Sequence, residues 1–410
     1  MSLHIDRRRF IGATGALAAG LVLPGTARAA GAPNPTNPPK AAGACTTSVT
    51  GNAGIDALAK CFIERWNMPG MSLSFGRGGQ IFYEQAYGYT EFHGTIPVTT
   101  DTRFRIASVT KPFTSAAIFQ LIEAGELTLE TPVFTGEGVL NQFADVPAKT
   151  PRKVDAIQIQ HLLRHLCGGW SSDGNDPMFL RQYWDLDHDA LIRKTLATQG
   201  LAYMPGQCYA YSNFGYCLLG RVIEKITGQP YDTYVRNAVL APIGVDDMVI
   251  ATSGSQPPEA GYYDPDDSAF PYQFPITRMD SHGGWIARAS DLVRFGAAVF
   301  AATDKMGGPA LLKPSSIATI TSVNALSTAC NKAYTPYGCG WSIYTGGPNA
   351  FHFGSLSGTT SVLVHTHTGL VWSALLNSRP EDGTQEAMQN ELDALMWAMA
   401  ACRPDWQAGA

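Results

Sequence analysis

An α/β (α+β) fold is predicted, in which one antiparallel sheet is completed by both ends of the chain and a mainly helical domain lies beside it. Residues 71–89 alternate in polarity and contain a glycine-rich turn at 76–79, which predicts a β-hairpin near the N-terminus. Near the C-terminus, four short segments have the composition of strands: 341–344, 350–353, 361–366 and 370–376. Between these strand-rich ends the apolar residues have helical spacing.

The predicted helices set the predicted domain boundaries. Four middle segments have helical spacing: 157–166, 191–199, 214–227 and 230–241. Further helices are predicted at 108–124 and at 385–400. We therefore predict a sheet domain formed by residues 53–124 together with 280–402, flanked by helices, and a mainly helical domain over 125–279.

The composition of the 410-residue chain is that of a globular protein, with 45% hydrophobic and 15% charged residues. The formal net charge is −5, so the chain has no excess of basic residues with which to bind a phosphate backbone. A nucleic-acid partner is therefore not expected.

The first 29 residues have the pattern of a twin-arginine export signal. Three arginines at 7–9 precede an apolar stretch at 12–23 and a small-residue cleavage site at 27–29. This stretch is too short and too rich in Gly and Ala to span a membrane; the alternative is a basic amphipathic helix that arose by chance. We expect a signal peptide over 1–29, a linker over 30–52 and an exported protein, periplasmic or extracellular, with no membrane span after cleavage.

Eight cysteines in an exported chain predict disulfides, although their spacing does not determine the pairing. Cys330 and Cys339 flank a predicted turn, and we expect a local bridge there. Cys167 and Cys208 lie near segments of the candidate site and could clamp them. No pair has the Cys-x-x-Cys spacing of a metal site.

Ser108 and Lys111 are the first candidate catalytic residues, because residues three apart share one face of a helix. The predicted helix is apolar nearly all round, which indicates that it is buried. Burial favours the neutral amine of Lys111, which could accept the hydroxyl proton of Ser108 and make it a nucleophile. The alternative is a lysine that extends to water beside a capping serine.

Two further motifs follow in the order of a known family: Tyr211-Ser212-Asn213 and His352-Phe353-Gly354-Ser355. With Ser-x-x-Lys at 108–111, the chain resembles the penicillin-recognising serine hydrolases, which include class C β-lactamases, DD-peptidases, D-aminopeptidases and related carboxylesterases. The resemblance covers roughly residues 53 to 400. It implies a β-lactamase/transpeptidase-like fold. Supporting stretches lie at 104–107, 161–165, 281–285, 337–341 and 376–377.

The resemblance also implies a role for each motif residue. Ser108 is expected to attack an acyl carbonyl and carry the acyl group as an ester, while Lys111 and Tyr211 share the proton transfers. We expect a neighbouring ammonium to favour the phenolate of Tyr211, and the identity of the base stays open between the two residues. Asn213 is expected to hold Lys111 and the acyl side chain of the substrate.

The second part of the implied site is the oxyanion hole and the strand that carries it. The backbone N–H groups of Ser108 and Ser355 are the expected donors, and Gly354 is expected to allow close approach of the strand to the substrate. His352 replaces the lysine found in many relatives. A histidine is mostly neutral at pH 7 unless an acid raises its pKa, so we expect esters or D-amino-acid peptides rather than efficient β-lactam turnover.

Other interpretations receive less support from the sequence. His161 and His165 have zinc-type i, i+4 spacing but lack the intervening glutamate of that motif, and no metal or cofactor is expected. No Gly-x-Ser-x-Gly elbow of an α/β-hydrolase occurs. A β-lactamase or DD-peptidase is an alternative enzyme. A penicillin-binding receptor that acylates with little turnover is an alternative of another class. The expected partner is a small ester, amide or peptide.

Overall fold

Both ends of the chain contribute strands to one six-stranded antiparallel sheet, with the order β2-β1-β9-β8-β7-β6. This computed structural model describes residues 45–172, 176–255, 257–304, 307–323, 336–344 and 349–406. The strands of this sheet are β1 Gly70–Arg77, β2 Gln80–Gly88, β6 Ser342–Tyr344, β7 Asn349–Leu356, β8 Thr359–His365 and β9 Leu370–Leu376. The predicted hairpin and the predicted C-terminal strands are confirmed.

A smaller three-stranded sheet lies beside the first one. Its strands are β3 Phe104–Arg105, β4 Val249–Ile250 and β5 Trp285–Ala287, in the order β3-β5-β4. Strand β3 ends just before the Ser108 motif. It is therefore one of the elements that hold that motif against the large sheet.

Ten α-helices are found in the described part of the chain. They are α1 Gly51–Arg65, α2 Thr110–Glu123, α3 Pro151–Val154, α4 Ile159–Leu163, α5 His188–Thr198, α6 Asn213–Thr227, α7 Tyr231–Val235, α8 Ala289–Phe300, α9 Pro314–Thr321 and α10 Gln385–Ala401. The middle of the chain is mainly helical, and the terminal helix lies where it was predicted.

Two predicted helices are shorter than expected, for local reasons. Helix α4 ends at Leu163 because His165 adopts a left-handed backbone conformation with φ of +58°. The segment predicted as a helix at 230–241 becomes a π-helical turn after Val235 and then a 3-10 turn that contains Pro242. Proline cannot donate the backbone hydrogen bond that would continue an α-helix.

The large sheet is buried on both faces. Leu363, Val371 and Leu375 belong to the same buried cluster as the apolar face of α8. Alternate residues of the same strands, such as Val362 and Trp372, pack in a second cluster with α1 and α10. Because successive residues of a strand point to opposite faces, helices cover both sides of the sheet. The predicted fold class is thereby confirmed.

The structure corrects two of the cysteine predictions. Cys45 is bonded to Cys61 at the start of the described chain. The expected bridge between Cys330 and Cys339 is wrong, because Cys339 is a free thiol. It is fully buried, with its sulfur 4.0 Å from the carbonyl oxygen of Thr319. Cys330 lies outside the described residues, as do the predicted signal peptide and most of the linker.

The two cysteines near the candidate site differ from each other. Cys208 is disulfide-bonded. Cys167 is a buried free thiol whose sulfur lies 3.6 Å from the carbonyl oxygen of His161, so the suggestion that it forms a disulfide clamp is also wrong. Burial raises the pKa of the Cys167 thiol to about 12, which keeps it protonated.

Candidate active site

Ser108 lies in a 3-10 turn, Ala107–Val109, that runs directly into helix α2. The predicted helix thus begins two residues later than expected, at Thr110. Ala107 has φ of +45°, a left-handed conformation that costs free energy for a residue with a side chain. Such strain beside a partly exposed serine is typical of a functional site.

Lys111 is fully buried at the start of α2, and its Nζ lies 3.0 Å from Ser108 Oγ. The same nitrogen lies 2.7 Å from Asn213 Oδ1 and 2.9 Å from the carbonyl oxygen of His282. Burial lowers the pKa of Lys111 well below its ordinary value, and the carboxylate of Asp176 opposes part of that change. A neutral amine has two N–H donors, which match the two carbonyl oxygens, and a lone pair that remains for the Ser108 proton.

Tyr211 immediately precedes helix α6, whose first residue is Asn213. Ser212 caps this helix, because its Oγ accepts a hydrogen bond of 3.0 Å from the Gly215 N–H. The cap therefore fixes the backbone that presents both motif side chains to Lys111. Lys111 Nζ lies 4.8 Å from the centre of the Tyr211 ring.

The electrostatic prediction for Tyr211 is wrong. We expected a neighbouring ammonium to favour the phenolate, but burial raises the pKa of Tyr211 above its ordinary value, and a contact with the Ser108 hydroxyl offsets only part of this rise. Asp176 raises it further. Tyr211 is therefore a phenol at neutral pH, able to donate or relay a proton.

Strand β7 passes directly against the turn that carries Ser108. A Cβ atom at Gly354 would lie 2.2 Å from the carbonyl oxygen of Ile106, 2.2 Å from Ser361 Oγ and 3.1 Å from the Ser108 nitrogen. These distances leave no room for a side chain, so glycine permits the close approach of the two backbones. Ser355, the next residue, pairs with Thr360 on β8.

His352, also on β7, is held in one neutral form. Its Nδ1 lies 2.6 Å from the carbonyl oxygen of Phe353 and therefore donates to it, which leaves Nε2 to accept a hydrogen bond of 3.0 Å from the Tyr337 hydroxyl. Burial, with a smaller contribution from Lys111, lowers the pKa of His352 to about 3. The expectation of a neutral imidazole agrees with this geometry.

The structure thus brings together the residues that the sequence singled out. Three chain segments far apart in sequence meet at one point: the Ser108 turn, the start of α6 and strand β7. The predicted site residues found there are Ser108, Lys111, Tyr211, Asn213, His352, Gly354 and Ser355. Sequence reasoning gave no role to Asp176, Ser172 or the His282 carbonyl, all of which take part in this arrangement.

The position of Asn213 differs from the expectation in one respect. Its Oδ1 faces Lys111, as expected, but its Nδ2 lies 3.0 Å from Asp176 Oδ2 and 3.3 Å from Ser172 Oγ. Both amide hydrogens are therefore directed at protein acceptors. The donor that we expected to hold the acyl side chain of a substrate is already engaged.

His165 and His161 do not form the paired arrangement that their spacing suggested. The His165 Nδ1 accepts the Ser212 N–H at 3.1 Å, and the ring lies 4.2 Å from the Tyr211 ring, centre to centre. His161 Nδ1 instead accepts the Gln158 N–H at 3.0 Å. His165 thus supports the backbone of the Tyr211 motif, and in the described ranges no group of three or more metal-ligating side chains is found.

The fold and this cluster define the class of protein. A family model described as Beta-lactamase matches residues 55–395, and the chain belongs to the β-lactamase family. Its fold is the β-lactamase/transpeptidase-like fold that the resemblance implied.

Two curated relatives carry names of different hydrolases. Esterase EstB of Burkholderia gladioli is 30% identical over 225 residues, which are 52% of this chain and 55% of the relative. A putative D-alanyl-D-alanine carboxypeptidase of Escherichia coli O157:H7 is 29% identical over 221 residues, 50% of each chain. The matches thus span about half the length of either relative.

Solved structures show the same fold over more of the chain. The D-amino acid amidase of Ochrobactrum anthropi SV3, complexed with L-phenylalanine amide, superposes with a TM-score of 0.69 at 23% identity, covering 86% of this chain and 99% of that one. An octameric penicillin-binding protein homologue from Pyrococcus abyssi has a TM-score of 0.66 at 23% identity and covers 84% of this chain and 77% of that one.

Proposed function

We propose that the chain is a serine acyl hydrolase that acts on esters or D-amino-acid peptides through a Ser108 acyl-enzyme. The single observation that carries this proposal is the fully buried Lys111 amine, 3.0 Å from the Ser108 hydroxyl. An amine that is neutral at working pH can act as the general base for a hydroxyl that is otherwise a weak nucleophile.

In the acylation step, the Ser108 proton moves to Lys111 Nζ while Oγ bonds to the acyl carbon. The carbonyl oxygen takes up the negative charge, and the backbone N–H groups of Ser108 and Ser355 are the proposed donors to it. The carbon then releases the alcohol or amine, which receives a proton from Lys111 through the Tyr211 phenol. In the second step, water gives a proton to the same groups as its oxygen bonds to the acyl carbon; the bond to Ser108 Oγ then breaks, Oγ takes up that proton and the carboxylic acid leaves.

Neutral esters are the substrates that the site chemistry favours within this class. His352 is neutral, and the Arg379 guanidinium that contacts Ser355 Oγ on β7 at 3.3 Å is paired with the carboxylate of Glu381. The engaged amide of Asn213 offers no donor to a substrate acylamide. The name of the esterase relative also supports ester substrates. β-Lactam hydrolysis or DD-peptidase activity is the second candidate, because the family match and the penicillin-binding-like fold both favour it.

We further propose that the chain is exported by a twin-arginine signal over residues 1–29, followed by a linker over 30–52. The Cys45–Cys61 disulfide supports an oxidising compartment. In the part of the chain that the structure describes, no helix is long and apolar enough to cross a membrane. We also propose that residues 53–124 together with 280–402 form a sheet domain and that residues 125–279 form a mainly helical domain.

The test of the proposed function is hydrolysis of p-nitrophenyl butyrate by the wild type and by Ser108→Ala. We expect steady ester release by the wild type, a fluorophosphonate adduct seen in its intact mass, and loss of both in Ser108→Ala. Persistent penicillin acylation without ester release would instead support a receptor. A screen of D-alanyl peptides, short esters and nitrocefin then ranks the substrate classes.

His352→Lys is expected to raise the kcat/KM of substrates that carry a carboxylate relative to matched neutral esters, by about tenfold, because it supplies a charged hydrogen-bond donor. His352→Gln is the neutral control and should leave that ratio near the wild-type value. The measurement is the ratio of kcat/KM for a half-ester of a dicarboxylic acid and its methyl diester. An unchanged ratio in His352→Lys would remove position 352 from substrate recognition.

A further inference from the structure

Asp176 is a buried carboxylate that faces the catalytic cluster from outside any helix or strand, with only 4% of its surface exposed. Its Oδ2 accepts the Asn213 backbone N–H at 2.9 Å and the Asn213 side-chain amide at 3.0 Å. The Met178 N–H donates to Oδ1 at 3.1 Å, and the Ser172 hydroxyl lies 3.4 Å from Oδ2. Burying a carboxylate is costly unless it is hydrogen-bonded and its charge is balanced, and the site must meet both conditions here.

The hydrogen bonds indicate that Asp176 is ionised. Backbone and amide N–H groups can only donate, and they are directed at both carboxylate oxygens. Burial keeps the pKa of Asp176 above its ordinary value, although its hydrogen bonds to Asn213 and Met178, and Lys111 whenever it is protonated, act in the opposite direction. A proton on Oδ2, which accepts both the backbone N–H and the side-chain amide of Asn213, would displace one of these donors.

Asp176 also determines which end of the Asn213 amide faces Lys111. Because Nδ2 donates to Asp176 and Ser172, Oδ1 must point the other way, where it lies 2.7 Å from Lys111 Nζ. If the amide were flipped, Nδ2 would face the N–H groups of Lys111, and two donors would oppose each other. Oδ1 would then face Asp176 Oδ2, and two acceptors would oppose each other. The carboxylate therefore orients the catalytic lysine through one intermediate side chain.

The other titratable groups around Lys111 do not supply a negative charge. His165, His282 and His352 are buried, and their pKa values are lowered, so they are neutral. Tyr211 and Tyr216 are buried, and their pKa values are raised, so they are phenols. Among the described residues, Asp176 is the carboxylate whose charge acts on Lys111.

We propose that Asp176 is a positioning residue of the reaction: it fixes the Asn213 amide and provides the negative charge that stabilises Lys111 after it has taken the Ser108 proton. This inference rests on the proposed function. It assigns to Asp176 no contact with substrate. It predicts instead that the carboxylate sets both the geometry and the basicity of the lysine.

Asp176→Asn tests this inference, because the carboxamide oxygen can still accept a hydrogen bond while the charge is lost. The protonated form of Lys111 then loses its stabilising charge, so the pKa of Lys111 falls. We expect the acid limb of the kcat/KM pH profile for p-nitrophenyl butyrate to move to lower pH by about one unit and the plateau kcat to fall about tenfold. A purely structural role would lower the rate without moving the limb.

Asp393→Asn is the matched control, since Asp393 is equally buried at 4% exposed but lies on α10, in the cluster on the other face of the sheet from α8. The acid limb of the kcat/KM pH profile of Asp393→Asn should coincide with that of the wild type. Thermal unfolding checks that each variant is folded, and Asp176→Ser replaces Asp176→Asn if the latter does not fold. An unmoved acid limb in a folded, uncharged variant overturns the inference, whether or not kcat falls. A wild type without Ser108-dependent hydrolysis overturns the proposed function instead.

Discussion

Lys111→Ala is expected to abolish acyl-enzyme formation, lowering its rate by about 10⁴-fold, the upper end of what a general base contributes. Among the described residues, Lys111 is the group placed to accept the Ser108 proton, 3.0 Å away, because burial keeps the Tyr211 phenol protonated. The measurement is the burst of p-nitrophenol on mixing with p-nitrophenyl butyrate, together with the intact mass of the protein.

Lys111→Arg is the informative companion, because it keeps a donor near Asn213 and the His282 carbonyl but has no lone pair at neutral pH. It should therefore be as inactive as Lys111→Ala. Thermal unfolding of both variants distinguishes loss of the base from loss of the fold. A normal burst in either folded variant would contradict the role of Lys111 as general base.

Gly354→Ala is expected to lower kcat by about 10²-fold to 10³-fold, the loss typical of removing one donor to the oxyanion. The added methyl carbon would lie 2.2 Å from both the Ile106 carbonyl oxygen and Ser361 Oγ, so strand β7 must move away from the Ser108 turn. That movement separates the two backbone N–H groups proposed to stabilise the oxyanion. The measurement is kcat for the ester together with Tm.

Gly254→Ala is a matched control, since a Cβ at that position meets no heavy atom within 4 Å. It should retain wild-type kcat and Tm. If Gly354→Ala were folded and fully active, the close contact between β7 and the Ser108 turn would have no catalytic role. That result would also contradict the proposal that the Ser355 backbone N–H donates to the oxyanion.

The parts of the site that were predictable are those with local or ordered signals. Ser108 and Lys111 are neighbours on one turn, so their contact follows from helix geometry alone. The Tyr211 and His352 motifs were found because their order along the chain resembles that of a known family. The apolar character of the α2 segment correctly predicted that Lys111 would be buried.

The parts that were missed depend on contacts between loops and on burial. Asp176 lies outside any helix or strand, so no periodicity indicates that its side chain turns inward. The pKa of Tyr211 was predicted in the wrong direction because the sequence shows its cationic neighbour but not the extent of its burial. The cysteine pairing failed for a similar reason, since proximity along the chain does not fix sulfur positions in a folded core.

The central claim is that a buried, neutral Lys111 takes the Ser108 proton. The most direct test is the pH dependence of Ser108 acylation by a fluorophosphonate, followed by intact mass from pH 5 to 11. We predict a plateau that is reached well below the pKa of about 10.4 of a free lysine and shows no further rise near pH 10, where a free tyrosine would ionise. An acylation rate that climbs steadily to pH 10 or above would contradict the account.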